Sequence, residues 1–266
     1  MTETRQVVFI TGASSGIGRA AAIAFARAGH HVCGLARRGD RLESLRDEID
    51  ALPSPHGDFL AAVGDVRDPA QIEAAALRTL ERFGRLDVLL ANAGVGHHGA
   101  VVDGEWDDIE TVLRSNIDGV LHCVRAAAPA MRKQGGGHIL LVSSIVAGIH
   151  TPYTAAYAAS KAFVSSLAGS LRLELEDDNI AVTDVLAGRT QTEFNQNRLG
   201  LSQEVRGGLP TITADDVALA LVKAAERRPR RLILRLFDRF ILAGGVIAPG
   251  MMARMAKRQY KPTEDE

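Results

Sequence analysis

Cysteine is nearly absent: only Cys33 and Cys123 occur among 266 residues, one in an expected buried strand and one in an expected helix. That scarcity excludes a disulfide framework and a paired-cysteine metal site. An excess of either charge is also missing. A net charge of −1 removes the electrostatic case for a general nucleic-acid binder, so neither DNA nor RNA is expected as a partner. No apolar run is long enough for a membrane span. The longest late one, Phe240 to Ala253, falls short of the about 20 residues required and contains Gly244, Gly245 and Pro249. The N-terminal MTETRQVVFI lacks a basic segment followed by an apolar run and a cleavage site, so no export signal is read and a cytoplasmic location is expected. His97 and His98 are adjacent and point differently in a strand-end loop, without an acidic or cysteine partner at ligand spacing; no metal is expected.

What is present is a regular alternation of short apolar runs and longer helical patterns. QVVFIT precedes a helix from Ile17 to Ala28, HVCGLA one from Asp40 to Ala51, FLAAVG one from Pro69 to Phe83, and DVLLAN one from Trp106 to Met131. HILLVS, a helix from Tyr153 to Leu175, IAVTDVLA, a helix from Ala214 to Arg227 and RLILR complete the series. This rhythm predicts the α/β class: a Rossmann-like, doubly wound, seven-stranded parallel sheet flanked by helices, in a single domain. Strands apolar throughout fit a sheet covered on both faces. Residues 1–230 form the expected dinucleotide-binding and catalytic part, with a substrate lid over about 193–210. Residues 231–266 are expected to add the last strand and a basic, amphipathic C-terminal extension of the same domain.

Between the first strand and first helix lies Thr11-Gly12-Ala13-Ser14-Ser15-Gly16-Ile17-Gly18. Backbone N–H groups and the helix dipole there suit a pyrophosphate, and glycine lets the main chain approach it. The spacing differs from the general dinucleotide fingerprint, although the physical task is similar. At the end of the second strand, Ala36 stands where a carboxylate would bond free ribose hydroxyls, and Arg37 and Arg38 follow. A guanidinium there can hold a 2′-phosphate through charge-assisted bonds, which favours NADP(H) over NAD(H). The competing account is a solvated pair of strand-end arginines.

In order, TGASSGIG, Asp65-Val66, Asn92-Ala93-Gly94, Asn116, Ser144 and Tyr157-Ala158-Ala159-Ser160-Lys161 make the chain resemble the short-chain dehydrogenase/reductase family from about Val7 to Thr192. The resemblance implies that Gly12, Ser14, Ser15, Gly16, Ile17 and Gly18 bind the dinucleotide, that Asp65 and Val66 border the adenine, and that Asn92, Ala93 and Gly94 lie beside the cofactor. It also implies that Gly188, Thr190 and Thr192 border the nicotinamide, although Ala187 stands where relatives usually carry proline.

Tyr157 and Lys161 are four apart on a predicted helix, hence on one face. An ammonium beside a phenol favours the phenolate. The proposed chemistry is proton exchange between Tyr157 and a carbonyl or alcohol oxygen, with Ser144 hydrogen-bonding the same oxygen. Lys161, by the resemblance, lowers the tyrosine pKa and binds the nicotinamide ribose. Asn116 is expected to hold a relay water, or to satisfy backbone groups at a helix kink, and both roles are compatible. Ser143 is the other candidate hydroxyl, and the family pattern selects Ser144.

The substrate pocket is expected from Val95–Gly99, Ile145–Tyr153 and residues 193–210, with Val146 and His98 or His150 among its lining and without a cationic clamp. The function that follows is an NADP(H)-dependent reduction of a carbonyl or oxidation of a secondary alcohol, the substrate being medium-sized or lipid-like. A non-catalytic dinucleotide-binding regulator or scaffold is the alternative. From Arg227 to Arg258 nine basic residues face one acid, Asp238. That tail is expected to close the pocket, to pack on a partner subunit or to touch a membrane surface. The resemblance implies a homodimer through the helices of Asn116 and Tyr157, with a tetramer left open.

Overall fold

The computed structural model of the chain describes residues 5–201 and 211–261. Strands β1 (Val7–Thr11), β2 (His31–Ala36), β3 (Phe59–Val63) and β4 (Val88–Ala91) alternate with helices α1 (Gly16–Arg27), α2 (Gly39–Asp50) and α3 (Pro69–Phe83). A two-residue strand, β5 (His97–His98), then precedes α4 (Trp106–Leu113), α5 (Gly119–Lys133), β6 (Gly137–Ser144), α6 (Ala155–Glu174) and β7 (Ile180–Ala187). The chain continues through the short strands β8 (Thr190–Gln191), β9 (Leu199–Gly200) and β10 (Ile212–Thr213), then α7 (Ala214–Arg227), β11 (Arg231–Leu232), α8 (Leu236–Ile247) and α9 (Pro249–Tyr260).

Seven strands form one parallel sheet in the order β11-β7-β6-β4-β1-β2-β3. Because side chains alternate across a strand, Val8 and Ile10 of β1 enter the core beneath α1, α2 and α7, whereas Phe9 enters the core beneath α3, α5 and α6. The sheet is therefore buried on both sides, which explains its continuously apolar strands. Local signals set the helix ends. Asp68 caps α3 by accepting from the Ala70 amide at 2.9 Å, Pro69 occupies the first turn, and Gly84 ends the helix at φ 79°.

The single Rossmann-like domain agrees with the sequence expectation, and three elements differ from it. The expected helix from Trp106 to Met131 is interrupted by a π-turn at Arg114–Asp118, with Asn116 in the middle. Such a widened turn marks a residue drawn out of the helical ladder by another partner. The α6 helix begins at Ala155, because Tyr153 adopts a left-handed φ of 64°. The last strand shortens to Arg231–Leu232, and the extension beyond it folds as two helices broken at Ala248-Pro249. Of the expected lid, 193–201 is described and 202–210 lies outside the described residues.

Candidate active site

A cleft of about 500 Å³ opens along the C-terminal ends of the strands, where ligands of doubly wound sheets bind. It is bordered at one end by the glycine turn and at the other by Ser144, Tyr157 and Lys161.

The glycine turn is tightly folded. Gly12 has φ +71°, and a Cβ there would stand 2.9 Å from Asn92 Nδ2. A Cβ on Gly18 would fall 2.3 Å from the Gly12 carbonyl oxygen. The turn is thus a cradle that side chains would fill, at the start of α1, with the main chain laid open to a phosphate. Thr11 ties it to the next strand. Its hydroxyl accepts from the Asn92 and Ala93 amides at 3.2 Å each, and its carbonyl accepts from Asn92 Nδ2 at 3.0 Å. Ser14, Ser15, Gly16 and Ile17 all line the cleft, whereas Gly18 stands behind it and brings α1 against the turn.

Both arginines after β2 line this end of the cleft, and they are not equivalent. Arg37 is exposed. Arg38 folds back over the turn: its Nη2 donates to Ser15 Oγ at 2.8 Å and to Ser14 Oγ at 3.1 Å. Asp65 and Val66 border the same region. Burial pushes the Asp65 carboxyl up, but hydrogen bonds from Arg67 outweigh it and hold the group below its usual range. The cradle, the two guanidiniums and the Asp65-Val66 wall fit a dinucleotide.

At the other end, Tyr157 is half-buried. Burial pushes its phenol up to about 12, with Ser144 as a hydrogen-bonding neighbour and Arg198 opposing the shift. Lys161 lies one turn further along α6, with Nζ 5.9 Å from the Tyr157 ring centre, and donates to the Val142 carbonyl at 2.8 Å. Burial lowers its pKa to about 8. The expectation that Lys161 depresses the tyrosine is therefore corrected: loss of hydration dominates both groups, and the phenol is kept protonated. Ser144 Oγ donates weakly to the Ala187 carbonyl at 3.2 Å, so its hydroxyl can turn to a nearby oxygen. Ser143 is committed elsewhere, donating to the buried carboxylate of Asp184.

Asn116 is fully buried. Its Oδ1 accepts from the Val95 amide at 2.8 Å, while Nδ2 donates to the Val95 carbonyl at 2.9 Å and to Ser160 Oγ at 3.0 Å. Both amide protons are spent in this way, which is the kink role. The remaining lone pair of Oδ1 lies beside Gly94, where an added Cβ would stand 2.8 Å from Oδ1 and 3.4 Å from Lys161 Nζ.

Gly188, Thr190 and Thr192 line the cleft after β7. Without the usual proline at Ala187, this loop is held by other means. Thr190 pairs with Ile212, its hydroxyl donates to the Gly188 carbonyl at 3.1 Å, and the Arg235–Asp238 ion pair packs over Gly188.

Three expectations about the substrate end are corrected. His150 is exposed and lies outside the cleft, because the turn at Ile145–Gly148 has already led the chain away. Val146 remains in the lining, and His97, rather than His98, joins it. The expected lining without a cationic clamp is also corrected, since Arg189 and Arg198 both border it, Arg198 from within the expected 193–210 segment. The sequence did not single out Phe194, whose ring centre lies 5.7 Å from that of Tyr157, or Tyr260 at the end of α9. His98 Nε2 stands 2.8 Å from the Tyr260 carbonyl and anchors that helix end. Tyr260 is one of only three tyrosines, but no motif surrounds it. Among the described residues, no group of three or more His, Cys, Asp or Glu side chains is placed to hold a metal ion.

A model of the short chain dehydrogenase family matches residues 6–200. Dehydrogenase/reductase SDR family member 7B of Bos taurus is 35% identical over 229 residues, covering 82% of this chain and 70% of that protein. L-rhamnose 1-dehydrogenase (NAD(P)(+)) of Sphingomonas sp. (strain SKA58) is 38% identical over 203 residues, covering 76% of this chain and 78% of that protein. A solved short-chain dehydrogenase from Streptomyces avermitilis superposes with a TM-score of 0.79 at 29% identity, over 96% of this chain and 97% of that one.

Proposed function

This chain belongs to the short-chain dehydrogenase family of oxidoreductases, and from that premise we propose that it interconverts a carbonyl compound and its secondary alcohol with NADP(H), using Tyr157 as acid and base. The observation that carries the proposal is the convergence of Tyr157, Ser144 and Lys161 in the same cleft as the glycine cradle and the two arginines. A regulator that only bound the dinucleotide would have no use for a tyrosine beside a buried serine and lysine at its far end.

Gly12, Ser14, Ser15, Gly16, Ile17, Arg37, Arg38 and the Asp65-Val66 wall would hold the dinucleotide, which when bound would supply or accept the hydride. The chain's own residues handle the proton. In reduction, Tyr157 donates its phenolic proton to the carbonyl oxygen as negative charge develops there, and burial keeps that phenol protonated. Ser144 turns its hydroxyl from Ala187 to the same oxygen and stabilises it. Lys161, desolvated and adjacent, places positive charge beside the phenol as it loses its proton. Asn116 fixes the position of α6 through Ser160 and offers one lone pair near Lys161 for proton relay. In oxidation the same groups act in reverse, the phenol losing its proton before it accepts one from the alcohol.

A homodimer through the helices of Asn116 and Tyr157 accords with the exposed Trp106, Phe163 and Leu173 on that side. The decisive test of the catalytic reading compares wild type with Tyr157→Phe in NADPH oxidation against a panel of ketones and aldehydes. The variant should lose turnover by about 10²–10⁴-fold and keep its affinity for NADPH. Turnover surviving in the variant defeats the assignment of Tyr157, and failure of wild type to bind either dinucleotide defeats the whole reading.

A further inference from the structure

The C-terminal helical pair has an inner and an outer face of different chemistry. Inward, α8 is clamped to the body of the domain. Asp238 is completely buried and bonded to Arg235, over Gly188. Further along the helix, a Cβ on Gly245 would lie 2.3 Å from the carbonyl of Gly148, the last residue of the turn that follows Ser144. The α9 helix packs back on α8 through Met252 against Gly244, and ends with Tyr260 at the cleft. The pair is thus a fixed part of the fold that borders the active site.

Outward, the same helices expose an apolar stripe. Leu236, Phe240 and Ile247 lie on one face of α8 and are 67%, 66% and 83% exposed, with Val246 beside them at 81%. Met251 and Met255, one turn apart on α9, are 55% and 58% exposed. Scattered apolar residues on a surface need no explanation, but a contiguous stripe over two helices does. Among the described residues of this segment, the exposed charges have one sign. Arg239, Arg254, Lys257 and Arg258 are exposed, and the only acid between Arg227 and Lys261 is the buried, paired Asp238.

We infer that the outer face of α8–α9 docks on an anionic lipid surface. Apolar side chains enter the headgroup boundary while the surrounding arginines and lysine meet lipid phosphates, as in interfacial amphipathic helices. Each helix has 12 residues, about 18 Å of length, too short to cross a bilayer, and no helix among the described residues is long and apolar enough to do so. The pair therefore lies along the surface. Among the described residues, charge decides against a second copy of the chain as occupant: a symmetric contact of α8–α9 would set cations against cations, with no exposed acid from Arg227 to Lys261 to compensate. The inference is independent of the redox chemistry, and its test uses no turnover.

The test is flotation of the full chain with vesicles of phosphatidylcholine alone and of equimolar phosphatidylcholine and phosphatidylglycerol. The protein should float with the anionic vesicles, remain below with the neutral ones, and detach as salt is raised. Ile247→Glu and Phe240→Glu should abolish flotation, while Arg254→Glu and Arg258→Glu each weaken it roughly fivefold or more. All four sites are exposed, and unchanged circular dichroism and NADPH affinity establish that the variants fold. The inference is overturned if wild type does not float with anionic vesicles at low salt, or if Ile247→Glu floats equally well. It is equally overturned if light scattering shows an oligomer that Ile247→Glu dissociates while vesicles bind neither protein, because the face then belongs to a second copy.

Discussion

Asn116 brackets the peptide of Val95, accepting from its amide at 2.8 Å and donating to its carbonyl at 2.9 Å. The same side chain reaches Ser160, whose hydroxyl donates to the Tyr157 carbonyl at 2.7 Å. One buried amide therefore joins the loop after β4, the π-turn and the helix bearing Tyr157. Asn116→Ala leaves these groups without a partner, at a cost on the order of 2–5 kcal/mol, and the unfolding midpoint should fall by roughly 5–15 °C. Asn116→Asp keeps the acceptor for the Val95 amide but cannot donate to the Val95 carbonyl or to Ser160, so it should also be destabilised. Calorimetry on both variants checks this, and an undiminished midpoint in Asn116→Asp would show that the donor side contributes nothing.

The different settings of Arg37 and Arg38 predict different losses. Arg37 lines the cleft and is exposed, so Arg37→Ala should weaken NADPH binding by about 10–100-fold, the effect of one charge-assisted contact, and leave NADH binding unchanged. Arg38 also holds the hydroxyls of Ser14 and Ser15. Its removal loosens the phosphate turn itself, so Arg38→Ala should weaken both dinucleotides, NADPH more. Fluorescence titration of the two variants with both dinucleotides separates these patterns. A wild-type preference for NADH would overturn the cofactor choice.

His138 gives the fold a defined sensitivity to acid. It is buried on β6, with Nε2 2.8 Å from Thr183 Oγ1, and desolvation, aided by Arg228, lowers its pKa from 6.5 to about 4. Between those values the unfolded chain binds a proton that the folded chain refuses, so stability falls as pH drops through this window. The full loss amounts to about 3 kcal/mol. His138→Gln, neutral throughout, should flatten the decline of the urea midpoint between about pH 6.5 and about pH 4. An equally steep decline in the variant would assign the effect to other groups, such as His31 and His97, whose pKa values burial also lowers.

Features written in local chemistry were readable from the sequence. The sheet followed from β-branched runs separated by helical periods, the cradle from its glycines, and Tyr157 with Lys161 from a spacing of one helical turn. Features made by distant partners were not. The π-turn at Asn116 depends on Val95 and Ser160, and nothing near Asn116 in sequence announces either one. Tyr260 reaches the cleft from a segment without motifs, and Arg198 and Phe194 lie in the expected 193–210 segment, where no motif marks which side chains face inward. The exclusion of His150 has the same origin: a four-residue turn after Ser144 decides which side chains still face the cleft.

The pH dependence of reduction should be set by Lys161 rather than by Tyr157. Burial lowers Lys161 to about 8 and pushes Tyr157 up to about 12. Across the accessible range Tyr157 therefore remains a proton donor, while the ammonium beside it is lost as pH rises. Since that ammonium stabilises the phenolate left after proton transfer, kcat/KM for carbonyl reduction should fall with rising pH, with a midpoint near 8. Stability runs the other way. The folded lysine releases its proton at a lower pH than the unfolded one, so between about 8 and 10.5 the unfolded state binds more protons and stability rises with pH. A structural effect would make activity and stability fall together, and opposite slopes identify the catalytic charge. Lys161→Arg, cationic throughout this range, should show no such fall in whatever activity it retains. A profile for wild type that is flat from about pH 6 to about pH 10 would remove Lys161 from the proton-transfer step.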